Sequence, residues 1–313
     1  DATGYISGTQ QPLAEEMSGN GQIVEANKAD MTIMVYIIGS DLETDDGLAT
    51  NDINKFFAAD LDDNINVVVQ AGGAYKWNNP NMEAGSTHRF SLGDNELNDF
   101  VNMGKVNMAS PETLSDFIKF AGANYPAEKF TLVLWNHGGD VPLQYGIDQM
   151  FPGETLTCDE LKMALAEADV YFETVVFDAC LMATAETANV LAPYANYMIA
   201  SEETEPGYGW DYTPLVNTLV QNPDVDTEKL YAMEERMAKS FYPKEKLRDP
   251  HANYHKMSIN EIKEKFPGFD WDTYLVARGT SHATHININQ PEAITESIAI
   301  MNDTDVELIK ILG

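Results

Sequence analysis

The sequence predicts an α/β fold: a mostly parallel sheet with helices on both faces, followed by a helical C-terminal segment. Three observations predict it. Five short apolar runs recur between residues 31 and 212, and they are continuous rather than alternating, as in strands buried on both faces. Helical patterns separate the later runs, which is the order of a parallel sheet with crossover helices. Each run ends in glycine, amide or acidic residues, which suit the ligand-binding edge of such a sheet.

Residues 1–30 lack periodicity and are rich in Gly, Gln and acids, and they read as a flexible lead-in. "MTIMVYIIGSDLE" (31–43) is the first run, closing on a glycine and acids. "NINVVVQAGG" (64–73) is the second. "STHRFSLG" (86–93) and "NELNDFVNMG" (95–104) read as weaker, partly exposed hairpin strands. "SPETLSDFIKFAGANYP" (110–126) is a helix with Ser110 at N-cap and Pro111 at N1. "FTLVLWNHGG" (130–139) is the third run, and "TCDELKMALAEA" (157–168) a helix after it. "ETVVFDAC" (173–180) is the fourth run, with helix-like sequence starting directly behind it. "NYMIASEETEPGYGWDY" (196–212) is the fifth.

The chain carries 50 acids against 19 bases, a formal charge of −31. Such a field disfavours nucleic acid and anionic membranes and favours cationic ligands. Two cysteines, Cys158 and Cys180, exclude a disulfide-stapled scaffold. No apolar run is long enough for a transmembrane helix. The chain starts at Asp1 without Met or signal peptide, as a processed or trimmed form would.

The ends of the third, fourth and fifth runs bring chemistry to one sheet edge. Cys180 fits a core role, since free cysteine is among the most buried residue types. It equally fits a nucleophile, because a helix starting behind it would offer free N–H groups and a partial positive charge to a thiolate. His137 fits a satisfied polar residue or a base that takes the thiol proton. Gly138 and Gly139 behind it let a substrate backbone approach and leave N–H groups for an oxyanion. Asp178 is poorly placed to activate Cys180, because a carboxylate against a thiolate opposes its ionisation. It could cap the next helix, orient His137 or receive a cationic side chain.

"LVLWNHGGD" with "YGID", "VVFDACLMAT" and "ASEETEPGYGWDY" together resemble the clostripain-like cysteine peptidases, relatives of the caspase, gingipain and legumain peptidases, over about residues 30–226. The resemblance implies a caspase-like sheet in residues 31–227. It also implies an endopeptidase that cuts after Arg or Lys through a Cys/His dyad in basic peptides or proteins. The dyad falls on His137 and Cys180, with Gly138 at the oxyanion. The basic-specificity pocket falls on Asp178, with Asp211 chosen over Glu202, Glu203 and Glu205 as its second acid. Tyr208 and Trp210 would wall that pocket or pack. A bacterial origin and a secreted or cell-envelope location follow from the same resemblance. Calcium is implied by the resemblance alone. Some members cut themselves after a basic residue between the two motifs. No Lys or Arg lies between Lys129 and Lys162, so no activating cut is expected in 138–155.

Residues 228–313 resemble instead a helical segment of neprilysin-like zinc metallopeptidases. Leu230, Met233, Met237 and Phe241 make one helix face, Ser258 and Glu261 a capping box, and Pro291 the first turn of another helix. No H-E-x-x-H occurs, and "HATH" (282–285) lacks the glutamate, so no metal ligands are assigned. The alternatives are a peptidase-like protein that binds basic peptides without cutting them, and a chimeric chain with an incomplete site.

Overall fold

The computed structural model describes residues 28–93, 97–139, 144–201, 204–205, 209–223 and 225, and the backbone of 283–287. Strand β1 (Ala29–Ile38) already includes two residues of the expected lead-in, and its apolar residues are buried throughout. Two helices absent from the sequence reading follow, α1 (Ser40–Asp46) and α2 (Leu48–Phe57). They share Gly47, which at φ 69° ends one helix and starts the other in the left-handed conformation that glycine adopts without penalty. Strands β2 (Ile65–Gly72), β3 (Thr87–Leu92) and β4 (Leu97–Gly104) come next. The expected exposure holds for β4 but not for β3, whose six residues are all buried because it lies between β2 and β4.

Helix α3 (Pro111–Asn124) begins where expected, with Ser110 at N-cap, although the Ser110 hydroxyl donates to the Glu112 carboxylate rather than capping a backbone N–H. Strand β5 (Ala127–Trp135) leads through the short pair β6 (Gln144–Tyr145) and β7 (Leu156–Thr157) to α4 (Cys158–Ala168). Thr157 and Glu160 cap α4 reciprocally. Strand β8 (Phe172–Asp178), helix α5 (Ala185–Leu191), strand β9 (Ala195–Ser201) and helix α6 (Tyr212–Gln221) complete the sequence to residue 221. Helix α5 does not start behind Cys180. Thr184 caps it by accepting from Thr187 N–H, so residues 179–184 form a turn and α5 begins five residues after Cys180.

The sheet order is β10-β9-β8-β5-β1-β2-β3-β4, with β1, β2, β5, β8 and β9 parallel as expected. Strand β10 (Ala283–Asn287) pairs antiparallel with β9 at one edge. Within the C-terminal segment expected to be helical, the described backbone is therefore extended, and His285 of "HATH" lies in a strand rather than on a helix face. The other readings of residues 226–313, and those of 1–27, lie outside the described residues.

Strand alternation separates two cores. Met34, Tyr36, Ile38, Leu132, Leu134, Val175 and Phe177 pack on one face beneath α3, α4 and α5. Ile33, Val35, Ile37, Val133, Trp135 and Val176 pack on the other beneath α2 and α6. The second face decides the site, because Asp178 follows Val176 by two residues and points the same way. Among the described residues no helix is long and apolar enough to cross a membrane.

Candidate active site

The β5–β8 register assembles the site. Trp135 and Asp178 are partners across the parallel pair, and the Asn136 N–H continues the ladder to the Asp178 carbonyl at 3.3 Å. Two residues further along each chain, His137 and Cys180 follow at the same end of the sheet. Gly138 shows how closely the two turns approach: a Cβ there would lie 2.0 Å from the Cys180 carbonyl oxygen and 2.9 Å from Met182 Cγ. Only glycine fits. Gly138 also bridges Tyr145, and Gly146 N–H closes that bridge on the His137 carbonyl at 3.0 Å.

Buried Asn136 fixes this loop against β1. Its amide donates to the Ile38 carbonyl and to Ser40 Oγ (3.0 Å), and its oxygen accepts from Ile147 N–H (2.6 Å). The start of α1 is thereby held beside the end of β5. Ser40, with φ 48°, turns the chain there, and Asp41 reaches the histidine: His137 Nε2 lies 2.9 Å from Asp41 Oδ1. The carboxylate that meets the imidazole is thus Asp41 rather than Asp178. Burial raises the Asp41 carboxyl, but hydrogen bonds from His137 and Ser40 outweigh it and hold the group below its ordinary value.

Cys180 is partly exposed, and Leu181 after it adopts φ 61°, a left-handed conformation costly for leucine, which turns the chain out of the strand. The Glu205 backbone N–H donates to Cys180 Sγ at 3.2 Å. A backbone donor from the segment after β9 thus supplies what the sequence reading sought from a helix N-terminus. Cys158, the other thiol, sits at the start of α4, where burial and then the charges of Glu186 and Asp159 push it up.

Beneath Cys180 lies a buried acidic cluster. Asp178 accepts from Tyr212 Oη at 2.5 Å and shares a hydrogen bond with the Glu205 carboxyl. Asp52 of α2 accepts from Trp135 Nε1 at 2.7 Å and from Lys55 Nζ at 2.5 Å, and Lys55 Nζ also donates to the Trp210 carbonyl at 2.8 Å. Gly209, at φ 59°, runs against both acids; a Cβ there would lie 2.4 Å from Asp52 Oδ2 and 3.2 Å from Asp178 Oδ2. All three carboxyls are raised. Burial is the largest cause for each. For Asp52 and Glu205 the Asp178 charge adds to it, and Asp52 reaches about 7 despite Lys55. Glu205 Oε2 is buried with no hydrogen-bond partner.

The acid that joins Asp178 is therefore Glu205. Asp211 stands at the N-cap of α6, half-buried, raised by burial and lowered by Lys55. Trp210 stacks on Tyr212 against the second core, whereas Tyr208, Glu202 and Glu203 lie outside the described residues. Asp41, Asp52 and Lys55 were not singled out from the sequence, and Asn136 was noted after the third run without a role. The acids directly after the first apolar run were the available signal for Asp41. Among the described residues no group of three or more His, Cys, Asp or Glu is placed to hold a metal ion.

The Peptidase C11, clostripain family model matches residues 35–262. That span includes every site residue above and passes the boundary expected at 227. Clostripain of Hathewaya histolytica is 29% identical over 147 residues, covering 41% of this chain and 28% of clostripain. A secreted C11 cysteine protease from Bacteroides thetaiotaomicron, solved with an irreversible peptide inhibitor, matches with TM-score 0.51 and 25% identity over 66% of this chain and 58% of that one. An inactive zymogen C11 protease from Parabacteroides distasonis matches in fold with TM-score 0.52 and 20% identity, over 69% of this chain and 61% of its own. The chain thus spans less than two thirds of each relative's length.

Proposed function

Since the chain belongs to the clostripain family of C11 peptidases, we propose that it is a cysteine endopeptidase that cleaves after Arg or Lys, with Cys180 as nucleophile and His137 as its base. The thiol gives its proton to the imidazole, and Sγ attacks the scissile carbonyl carbon. The tetrahedral oxyanion is met by backbone N–H groups of Gly138 and Cys180; the Gly138 N–H donates in no hydrogen bond among the described residues. The C–N bond breaks as His137 returns the proton to the leaving amine. Water then hydrolyses the thioester.

The observation that carries the basic preference is the buried Asp178–Glu205 pair beside the thiol, with Glu205 Oε2 lacking a partner. A buried acid with an unused oxygen is costly unless a cation completes it. An Arg or Lys side chain entering from the substrate supplies that cation, and the pair gives up its shared proton as it ionises. Substrates are basic peptides or proteins. The protein works outside the cytoplasm, like the secreted Bacteroides relative.

The test is cleavage of Arg-, Lys- and Ala-containing reporter peptides by wild type, Cys180→Ala and Asp178→Ala. Cys180→Ala should be inactive. Asp178→Ala should lose the basic preference by about 10- to 100-fold in kcat/KM, matching the roughly 1.5–3 kcal/mol of a hydrogen bond to a charged group. Equal cleavage by Cys180→Ala overturns the nucleophile. An unchanged preference in Asp178→Ala overturns the pocket alone. Reporter peptides bound tightly but left uncut by wild type would make the protein a basic-peptide binder.

A further inference from the structure

We infer that Asp41 is a positioning residue for the proposed dyad: it holds the His137 ring by Nε2, so that Nδ1 is the atom that exchanges the proton with Cys180. This rests on the reading of Cys180 and His137 as nucleophile and base.

An imidazole has two nitrogens, and a base needs one of them free. Here Nε2 is engaged, 2.9 Å from Asp41 Oδ1. The Asp41 carboxyl is held below its ordinary value, so near neutral pH it is a carboxylate and can only accept. Nε2 must then carry the hydrogen, and in the neutral ring Nδ1 is left with its lone pair. Nδ1 has no hydrogen-bond partner among the described residues. The thiol proton passes to Nδ1, giving an imidazolium whose Nε2–H still points at Asp41. That proton leaves again from Nδ1 to the amine, so Nε2–H is never lost in the cycle.

The contact is built into the fold. β1 and β5 are neighbours, and the Asn136 side chain ties the last carbonyl of β1 and Ser40 to the residue before His137. Asp41 follows Ser40 directly, so the tie that sets the start of α1 also aims the carboxylate. Asp41 from α1 meets His137 directly, while the Cys180 sulfur, from the turn after β8, is met by the Glu205 N–H and charge. The Asp41 side chain is 52% exposed, so solvent screens its charge. The effect of removing it is therefore well below the roughly 10⁴-fold loss seen when a fully buried triad aspartate is replaced.

The test compares wild type, Asp41→Asn, Asp41→Ala and Asp41→Glu for kcat and KM on an Arg reporter peptide. The rate at which iodoacetamide alkylates Cys180 is followed in parallel from about pH 5 to about pH 9. Asp41→Ala should lower kcat about 10- to 100-fold with little change in KM. In Asp41→Ala and Asp41→Asn the alkaline limb of the alkylation profile should move to lower pH, since the imidazolium loses its counter-charge. Asp41→Glu should recover part of both. A kcat within about twofold of wild type, or a lower kcat with every limb unmoved and no recovery by Glu, overturns the inference. If Asp41→Ala melts early, the isosteric Asp41→Asn decides. If wild type cuts no peptide, the peptidase reading falls, while the alkylation limbs still decide whether Asp41 acts on His137.

Discussion

Asp52 sits under two opposing influences, and its substitution by asparagine measures which one wins. Lys55 at 2.5 Å and the Trp135 N–H at 2.7 Å favour its charged form. Burial at 2% exposure and the Asp178 charge oppose it, and the balance lifts the carboxyl from 3.8 to about 7. A folded-state value above the unfolded one means that the native protein binds the proton more tightly. The stability Asp52 contributes is therefore full below about pH 4 and lost as pH rises through about 7. At 1.36 kcal/mol per pH unit the gap amounts to about 4 kcal/mol between pH 4 and pH 8. Raised values for Asp178 and Glu205 act in the same direction. Asparagine mimics the protonated acid. Asp52→Asn should thus match wild type within about 1 kcal/mol near pH 4 and exceed it by about 2–4 kcal/mol near pH 8. Urea unfolding followed by tryptophan fluorescence at both pH values reads this directly, since Trp135 touches the group. The general charge repulsion of a −31 chain also weakens the fold as pH rises, but the substitution leaves nearly all of it in place. If Asp52→Asn costs about 3–5 kcal/mol at pH 8, as breaking a buried ion pair does, the Lys55 pair dominates and the reasoning is wrong.

Two further substitutions separate catalysis from stability. Gly138→Ala places a methyl 2.0 Å from the Cys180 carbonyl oxygen, so the nucleophile's turn must move; kcat/KM should fall by about 100-fold or more while unfolding costs about 1–3 kcal/mol, read by steady-state kinetics beside a urea titration. Thr157→Ala removes the capping box of α4, a helix on the core opposite Asp178, and should cost about 1 kcal/mol in a denaturant titration with kcat unchanged.

The buried strands were legible because their residues leave no alternative. A run such as "TIMVYII" has no polar stripe for a helix to expose, so it reads as a strand covered on both faces, and β1, β2, β5, β8 and β9 all follow. Helix α3 was legible from Pro111 at N1, and α4 from the run "TCDELKMALAEA", whose Thr157–Glu160 box the structure then supplied. Helix α2 was not, because Asn51, Asp52 and Asn54 interrupt its apolar stripe, and Asp52 is buried only because Trp135 and Lys55 meet it there. Strand β3 looked half-polar because Thr87, His88, Arg89 and Ser91 find partners that only the folded chain supplies; Arg89, for example, meets Gln70 and Asp116.

The same division runs through the site. The sequence alone determined that His137, Gly138, Asp178 and Cys180 stand at the ends of buried strands, because apolar continuity marks where each strand stops. Only the tertiary structure decided which acid serves which partner. Asp41 is 96 residues from His137 and Glu205 is 25 residues from Cys180, and those contacts depend on which strands are neighbours and on how each chain turns at its end. Residue spacing carries no record of either. The turn after β8 makes the point: sequence placed a helix directly behind Cys180, whereas left-handed Leu181 and the Thr184 cap delay α5 to Ala185, so the sulfur meets a backbone N–H from another strand's loop instead.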